Sequence, residues 1–229
     1  MNPFTDLLSL LLPRTCPACG KSLKDWEECL CLICLGRLPV TNFHSEPDNP
    51  MAEMFWGRVK LLQAIAWFYF RKGSAYQDVL HKLKYNDRPD IGFLMGKQYG
   101  YELRQSQDFV RPDLLIPVPL NPKKQRKRGF NQSEAIAKGL SDGLGISLAS
   151  RALTRPLATS TQTRKSRYDR YLNVSGKFKV TDAALLENKH VLLIDDVITT
   201  GATLEACAEE LLAVQGVVVS VAALAWARL

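Results

Sequence analysis

Residues 191–203 read VLLIDDVITTGAT: four apolar side chains, two adjacent carboxylates, two more apolar residues, then Thr-Thr-Gly-Ala-Thr. An unbroken apolar run buries a central strand, the pattern of a parallel sheet covered on both faces. Ligands of such sheets bind beyond the carboxyl ends of the strands, and there Asp195 and Asp196 emerge. Two acceptor-only carboxylates suit a pair of vicinal hydroxyls, as on a ribose. Left without a partner after four buried residues, they would be costly, which argues against a mere strand ending. Thr199, Thr200, Gly201, Ala202 and Thr203 then supply small side chains, hydroxyls and backbone N–H groups where a helix begins, a cradle for a phosphate. Ribose hydroxyls and phosphate side by side describe a ribose 5-phosphate.

Working outward, Leu204, Cys207, Ala208, Leu211 and Leu212 recur on one helical face, so a helix is predicted from about Thr203 to Val214 with Cys207 in the core. A strand follows over Val217–Ala225. Upstream, Leu62–Phe70 reads as the strand that opens the main domain after the turn-rich Pro47-Asp48-Asn49-Pro50. Helices suit 74–86 and 91–104, where Val79, Leu80 and Leu83 form an apolar stripe and Lys82, Lys84 and Arg88 a polar edge. Leu114–Val118 is a short strand ended by Pro117 and Pro119, and 131–143 is a helix with Asn131 as its cap. Between Thr154 and Gly176 no periodicity survives, and a mobile loop is expected. Strand and helix alternate as in an α/β domain with a parallel sheet.

Composition agrees with this class. The chain has 229 residues, 46% hydrophobic and 23% charged, which excludes a disordered tail, a collagen-like chain and a disulfide-dense mini-protein. Its net charge of +7 comes from one stretch: residues 111–176 hold 13 basic and 4 acidic side chains. Five of the cations, Lys123, Lys124, Arg126, Lys127 and Arg128, fall within six residues and read as a basic loop. Such a patch implies an anionic partner, a polyphosphate ligand or nucleic acid. The longest apolar stretch, 217–227, falls short of the ~20 residues that a bilayer requires, so no membrane insertion is expected. The leader MNPFTDLLSLLLP carries Asp6 where a signal peptide would be basic, and a cytoplasmic protein is expected.

The cysteines define a second, smaller unit. Cys16-x2-Cys19 and Cys31-x2-Cys34 are two knuckles separated by eleven residues, the spacing of a tetrahedral four-thiolate zinc site. A pair of disulfides is the alternative, opposed by a reducing compartment. So short a module cannot bury enough apolar area to fold unaided, and the metal would supply its folding free energy. A closed four-cysteine shell leaves no open position, so the zinc is structural. Cys29 reads as a spectator thiol and His44 as a polar surface residue. The expected division is a four-cysteine module over 1–46 and an α/β domain over 47–229.

The 191–203 stretch resembles the motif with which type I phosphoribosyltransferases bind 5-phosphoribosyl 1-pyrophosphate (PRPP). The chain as a whole resembles the ComF family, competence-associated proteins that join a four-cysteine zinc module to a type I phosphoribosyltransferase domain. The features that carry it are the leader LLLPRTCPACG, the second knuckle running into Leu38-Pro39, Leu83-Lys84-Tyr85, the block IPVPLNPKKQRKRGFNQSEAIA, the spaced set Gln162, Arg170, Asn173 and Phe178, and the PRPP motif. The resemblance implies a mostly parallel sheet flanked by helices and a zinc-ribbon-like module. It implies PRPP and ribose contacts for Asp195, Asp196, Thr199, Thr200, Gly201, Ala202 and Thr203, with the two aspartates and Arg170 in catalysis. Val118, Pro119 and Leu120 would meet pyrophosphate and Mg²⁺, and Gln162 and Arg170 belong to a loop that closes over it. Asn131, Gln132 and Gln162 join the five cations as candidates for single-stranded DNA contact. The family context implies natural transformation, with DNA-translocation proteins as partners, and either phosphoribosyl transfer to an unidentified acceptor or a PRPP-responsive adaptor without catalysis.

Overall fold

Residues 14–85, 88–156 and 178–227 are described by the computed structural model. Five parallel strands form the main sheet: β1 (Ala64–Tyr69), β2 (Leu114–Pro117), β3 (Ser147–Leu148), β6 (His190–Ile198) and β7 (Val218–Trp226). Their spatial order is β1-β7-β6-β2-β3, with β4 (Leu153–Thr154) and β5 (Lys179–Val180) paired antiparallel in a separate two-stranded sheet. β6 lies between two parallel neighbours, and Val191, Leu192, Leu193 and Ile194 are fully buried, as the unbroken apolar run predicts.

The helices are α1 (Leu32–Gly36), α2 (Pro50–Glu53), α3 (Ala75–Tyr85), α4 (Pro89–Gln105), α5 (Pro122–Arg128), α6 (Gln132–Leu144), α7 (Ala183–Leu186) and α8 (Ala202–Leu212). α6 packs on β2 and β6, α8 on β6 and β7. From β2 the chain crosses through α6 to β3, and from β6 through α8 to β7, in opposite directions along the sheet. Right-handed crossovers therefore place α6 and α8 on opposite faces, and β2 and β6 part at a topological switch point.

α4 and α6 approach each other closely enough to exclude side chains. A Cβ on Gly139 would lie 1.9 Å from the Phe93 carbonyl oxygen, and one on Gly96 would lie 2.2 Å from the Ile136 carbonyl oxygen. Only glycine fits these positions, and neither signal is visible in the hydrophobic periodicity.

The segment before β1 is part of the core. The Tyr69 N–H donates to the Pro39 carbonyl (2.8 Å) and the Thr41 N–H to the Trp67 carbonyl (2.9 Å), so residues 39–41 lie antiparallel along the free edge of β1. Asn49 caps α2 through the Met51 and Ala52 N–H groups and donates to the Ala64 carbonyl (2.9 Å). Phe43, Met51 and Phe55 are buried, with Phe43 edge-on to Trp226 at 5.3 Å between ring centroids.

The strands and helices that the sequence predicts stand close to those bounds, with two differences. β6 continues past Ile194 to Ile198, because β7 still pairs with it there: Val197 faces Ala225 and Ile198 faces Trp226. The basic run 123–128, expected as a loop, is a helix. Asn121 caps it by accepting from the Lys123 N–H (3.0 Å), Pro122 occupies its first turn, and Gly129 ends it at φ +80°. The expected loop over 154–176 falls from residue 157 onward outside the described residues.

Candidate functional site

The first centre lies where β2 stops and β6 goes on. β2 pairs with β6 as far as Pro117 opposite Ile194, and the Val118 N–H donates to the Ile194 carbonyl (2.8 Å). Asp195 and Asp196 therefore follow directly beyond the last contact with β2, beside the turn of Val118, Pro119 and Leu120. Asn131, the cap of α6, donates from Nδ2 to the Val118 carbonyl (3.0 Å) and accepts from the Ser133 N–H (3.2 Å), which fixes that turn against the helix.

Each carboxylate is held. Asp195 Oδ1 accepts from Ser133 Oγ (2.9 Å) and from the Asp196 N–H (2.9 Å). Asp196 Oδ1 accepts from the Val197 N–H (2.6 Å), and Asp196 Oδ2 pairs with Lys84 Nζ at 3.1 Å. Burial, joined by the charge of Asp196, pushes the Asp195 carboxyl up to about 7, while the two hydrogen bonds and Lys84 pull against it.

The cradle follows at the start of α8. Thr199, Thr200 and Thr203 are exposed, Ala202 is half-buried and Gly201 is buried at φ +72°. A Cβ on Gly201 would lie 2.8 Å from the Phe55 ring, so glycine is required here for both conformation and space. Arg58 clamps the same loop: it donates to the Thr200 carbonyl (3.3 Å) and the Met54 carbonyl (2.9 Å) and forms an ion pair with Glu205 in the first turn of α8. Ser133, Phe55 and Arg58 carry no signal in the sequence that singles them out. Arg58 and Glu205 are 147 positions apart, and no local pattern reports such a contact.

The basic residues divide. Lys123, Lys124, Arg126 and Lys127 are exposed on α5, beside the turn after β2. Arg128 is half-buried, donates to Gln132 Oε1 (2.9 Å) and lies over the Tyr85 ring at 5.3 Å. Asn131 and Gln132 are buried, 8% and 2% exposed. Their side chains also serve the fold there, Asn131 as the cap of α6 and Gln132 as the acceptor for Arg128. Arg170 and Gln162 lie outside the described residues.

The second centre is the cysteine module. The sulfurs of Cys16, Cys19, Cys31 and Cys34 all lie within 4.8 Å of one another, with Cys19 and Cys31 at 3.7 Å. A tetrahedral ion with ~2.3 Å bonds to sulfur requires sulfur–sulfur edges of about 3.8 Å, so the four thiols fit a metal. Burial alone would raise Cys16, but backbone N–H donors from Cys31, Cys19 and Ala18 outweigh it and hold its thiol at about 7. Cys29 stays outside the cluster, its thiol pushed up to about 12 by burial and the charge of Asp90. His44 is half-buried in the one-turn 3-10 helix Phe43–Ser45 and does not join the cluster, and Cys207 is on the buried face of α8.

Residues 127–228 match the family described as phosphoribosyl transferase domain. With the parallel sheet, its switch point and the four-cysteine cluster, this defines an α/β protein of type I phosphoribosyltransferase fold carrying a small N-terminal cysteine module. The chain is 32% identical over 201 residues to DNA utilization protein YhgH of Escherichia coli K12, covering 86% of this chain and 83% of that protein. It is 33% identical over 215 residues to competence protein ComFC of Bacillus subtilis 168, covering 90% of this chain and 81% of that protein. With YhgH of Salmonella typhi, 32% identical over 137 residues, the match takes in 58% of this chain and only 60% of the relative's length. Among solved structures, Bacillus subtilis glutamine PRPP amidotransferase matches 62% of this chain and 30% of its own with 22% identity and a TM-score of 0.43. The chain belongs to the ComF family. Among the described residues, no helix is long and apolar enough to cross a membrane.

Proposed function

We propose that this protein binds PRPP with Mg²⁺ at the carboxyl ends of β2 and β6 and acts in the cytoplasm in natural competence, in the uptake of single-stranded DNA. The observation that carries the reading is the juxtaposition of Asp195 and Asp196 with the Thr199–Thr203 cradle on one side and the Val118–Leu120 turn on the other. The ribose hydroxyls would donate to the two carboxylates, and the N–H groups and hydroxyls of residues 199–203 would take the 5-phosphate. Val118, Pro119 and Leu120 would offer backbone groups to the pyrophosphate, with the cations of α5 beside them. Arg170 is proposed to add charge there, and Gln162 is proposed as a nucleic-acid contact. Mg²⁺ supplies charge neutralisation for a departing pyrophosphate. In the transfer reading, Asp195 and Asp196 hold the ribose still while the bond from C1 to pyrophosphate breaks and an acceptor adds at C1.

The four thiols are proposed to hold structural zinc, and the division into 1–46 and 47–229 goes with that assignment. A second reading, a PRPP-responsive adaptor without catalysis that binds single-stranded DNA or a DNA-translocation protein, is favoured by the exposed side chains of Lys123, Lys124, Arg126 and Lys127 on one short helix. It requires single-strand affinity that falls steeply with salt and weakens when those charges are removed.

Calorimetric titration of PRPP into zinc-replete protein, with and without Mg²⁺, tests the site. Saturable binding to the wild type that is lost in Asp195→Asn/Asp196→Asn is expected; well-folded wild type that binds no PRPP would refute the reading.

A further inference from the structure

Helix α3 touches both centres. Near its start, Tyr76 Oη donates to the Cys34 carbonyl at 2.6 Å; two turns on, Lys82 Nζ donates to the Pro17 carbonyl at 2.7 Å. Cys34 closes the second knuckle and Pro17 stands inside the first, so one helix pins both halves of the thiol cluster. Two residues further, Lys84 pairs with Asp196 Oδ2 at 3.1 Å. The other oxygen of Asp196 accepts from the Val197 N–H at 2.6 Å, so Lys84 completes the fixing of that carboxylate. Val79, Leu80 and Leu83 are buried, which makes α3 a rigid strut about 16 Å long.

We propose that Lys84 is a positioning residue for Asp196, and that α3 ties it to the cysteine module so that a metal-filled module stiffens the acid pair. Its consequence for ligand binding rests on the PRPP reading; the mechanical link does not. With the ion bound, the knuckle carbonyls of Pro17 and Cys34 are fixed and hold α3 at two points, and Lys84 at its end meets Asp196 in one geometry. With the ion removed, the knuckles lose their common centre and α3 loses both anchors. Coupling of this kind is reciprocal: whatever the metal does for a ligand at Asp196, that ligand does for the metal.

The first test needs no PRPP. Amide hydrogen exchange at residues 195–201 is followed in four full-length proteins: zinc-loaded wild type, chelator-stripped wild type, zinc-loaded Tyr76→Phe/Lys82→Met and zinc-loaded Lys84→Met. Metal content is checked in each. Exchange about tenfold faster than in loaded wild type is expected in the other three, with Lys84→Arg restoring protection. Unchanged exchange in the stripped protein and the double variant would overturn the proposal.

A second test measures the rate of zinc release to a chromophoric chelator with and without PRPP and Mg²⁺. Release slowed by PRPP in wild type and not in Lys84→Met is expected, whereas PRPP that binds wild type without changing release contradicts the link. Should PRPP not bind at all, the exchange result still decides the coupling, and the PRPP reading fails on its own.

Discussion

The cysteine module and the carboxyl end of the sheet are the two candidate binding centres, yet their order has opposite origins. Between residues 14 and 38 the buried apolar side chains are Cys16, Pro17, Leu30, Cys31 and Leu38, and two of these are thiols of the four-cysteine cluster. β6 alone buries Val191, Leu192, Leu193 and Ile194, each contributing about 1.5–3 kcal/mol, before its neighbours are considered. On the proposed zinc assignment the module depends on its ion, while the sheet end takes its shape from the core beneath it. What this teaches is that a site read from close cysteine spacing is fragile, and one assembled at a switch point inherits the stability of a whole core.

Removing the metal is the strongest way to break the comparison. Because structural zinc contributes on the order of 10–16 kcal/mol of apparent binding free energy, chelation should abolish amide protection over residues 16–34 while β7 and residues 190–194 of β6 stay protected. Simultaneous loss of the sheet would show that the two regions share one source of order.

Gly139→Ala attacks the other side. Its Cβ would lie 1.9 Å from the Phe93 carbonyl oxygen, so α4 and α6 must separate, at a cost of about 3 kcal/mol or more in urea unfolding. Metal content should stay at the wild-type value.

Acidity sharpens the comparison at the acid pair. The Asp195 carboxyl is raised from 3.8 to about 7, so the folded state holds a proton that the unfolded chain releases. The stability this group contributes is fully present below pH 3.8 and is lost as pH rises through about 7. Asp195→Asn should remove that slope, seen as a smaller decline than wild type in unfolding free energy between pH 5 and 8; parallel curves would contradict the raised Asp195 carboxyl.

The smallest effect concerns Arg58, whose side chain is 37% exposed. Arg58→Met should cost at most ~1 kcal/mol of stability. It should weaken PRPP binding about fivefold by loosening residues 199–203, as titration would record.

How far the sequence can be read follows the same division. The strands, the long helices and the four thiols are written in local patterns: an unbroken apolar run, a helical stripe, a pair of C-x2-C turns. Asp195 and Asp196 stand out because two charges directly after a buried run are costly unless a ligand or a cation meets them. The basic run reads as a loop because its charge masks the Asn121-Pro122 start and the Gly129 stop. Ser133, Arg58, Phe55 and the Lys84–Asp196 pair are invisible as contacts, since each depends on chain segments far apart in sequence meeting at the switch point. The Gly96 and Gly139 approach is hidden too, because the absence of a side chain leaves no periodic trace.

The most direct measurement of the central claim is amide hydrogen exchange of the zinc-replete protein before and after saturation with PRPP and Mg²⁺. Added protection confined to residues 195–203 and 116–120 is expected, together with its loss in Asp195→Asn/Asp196→Asn. Protection centred on 122–128 alone, or none in well-folded protein, would contradict it.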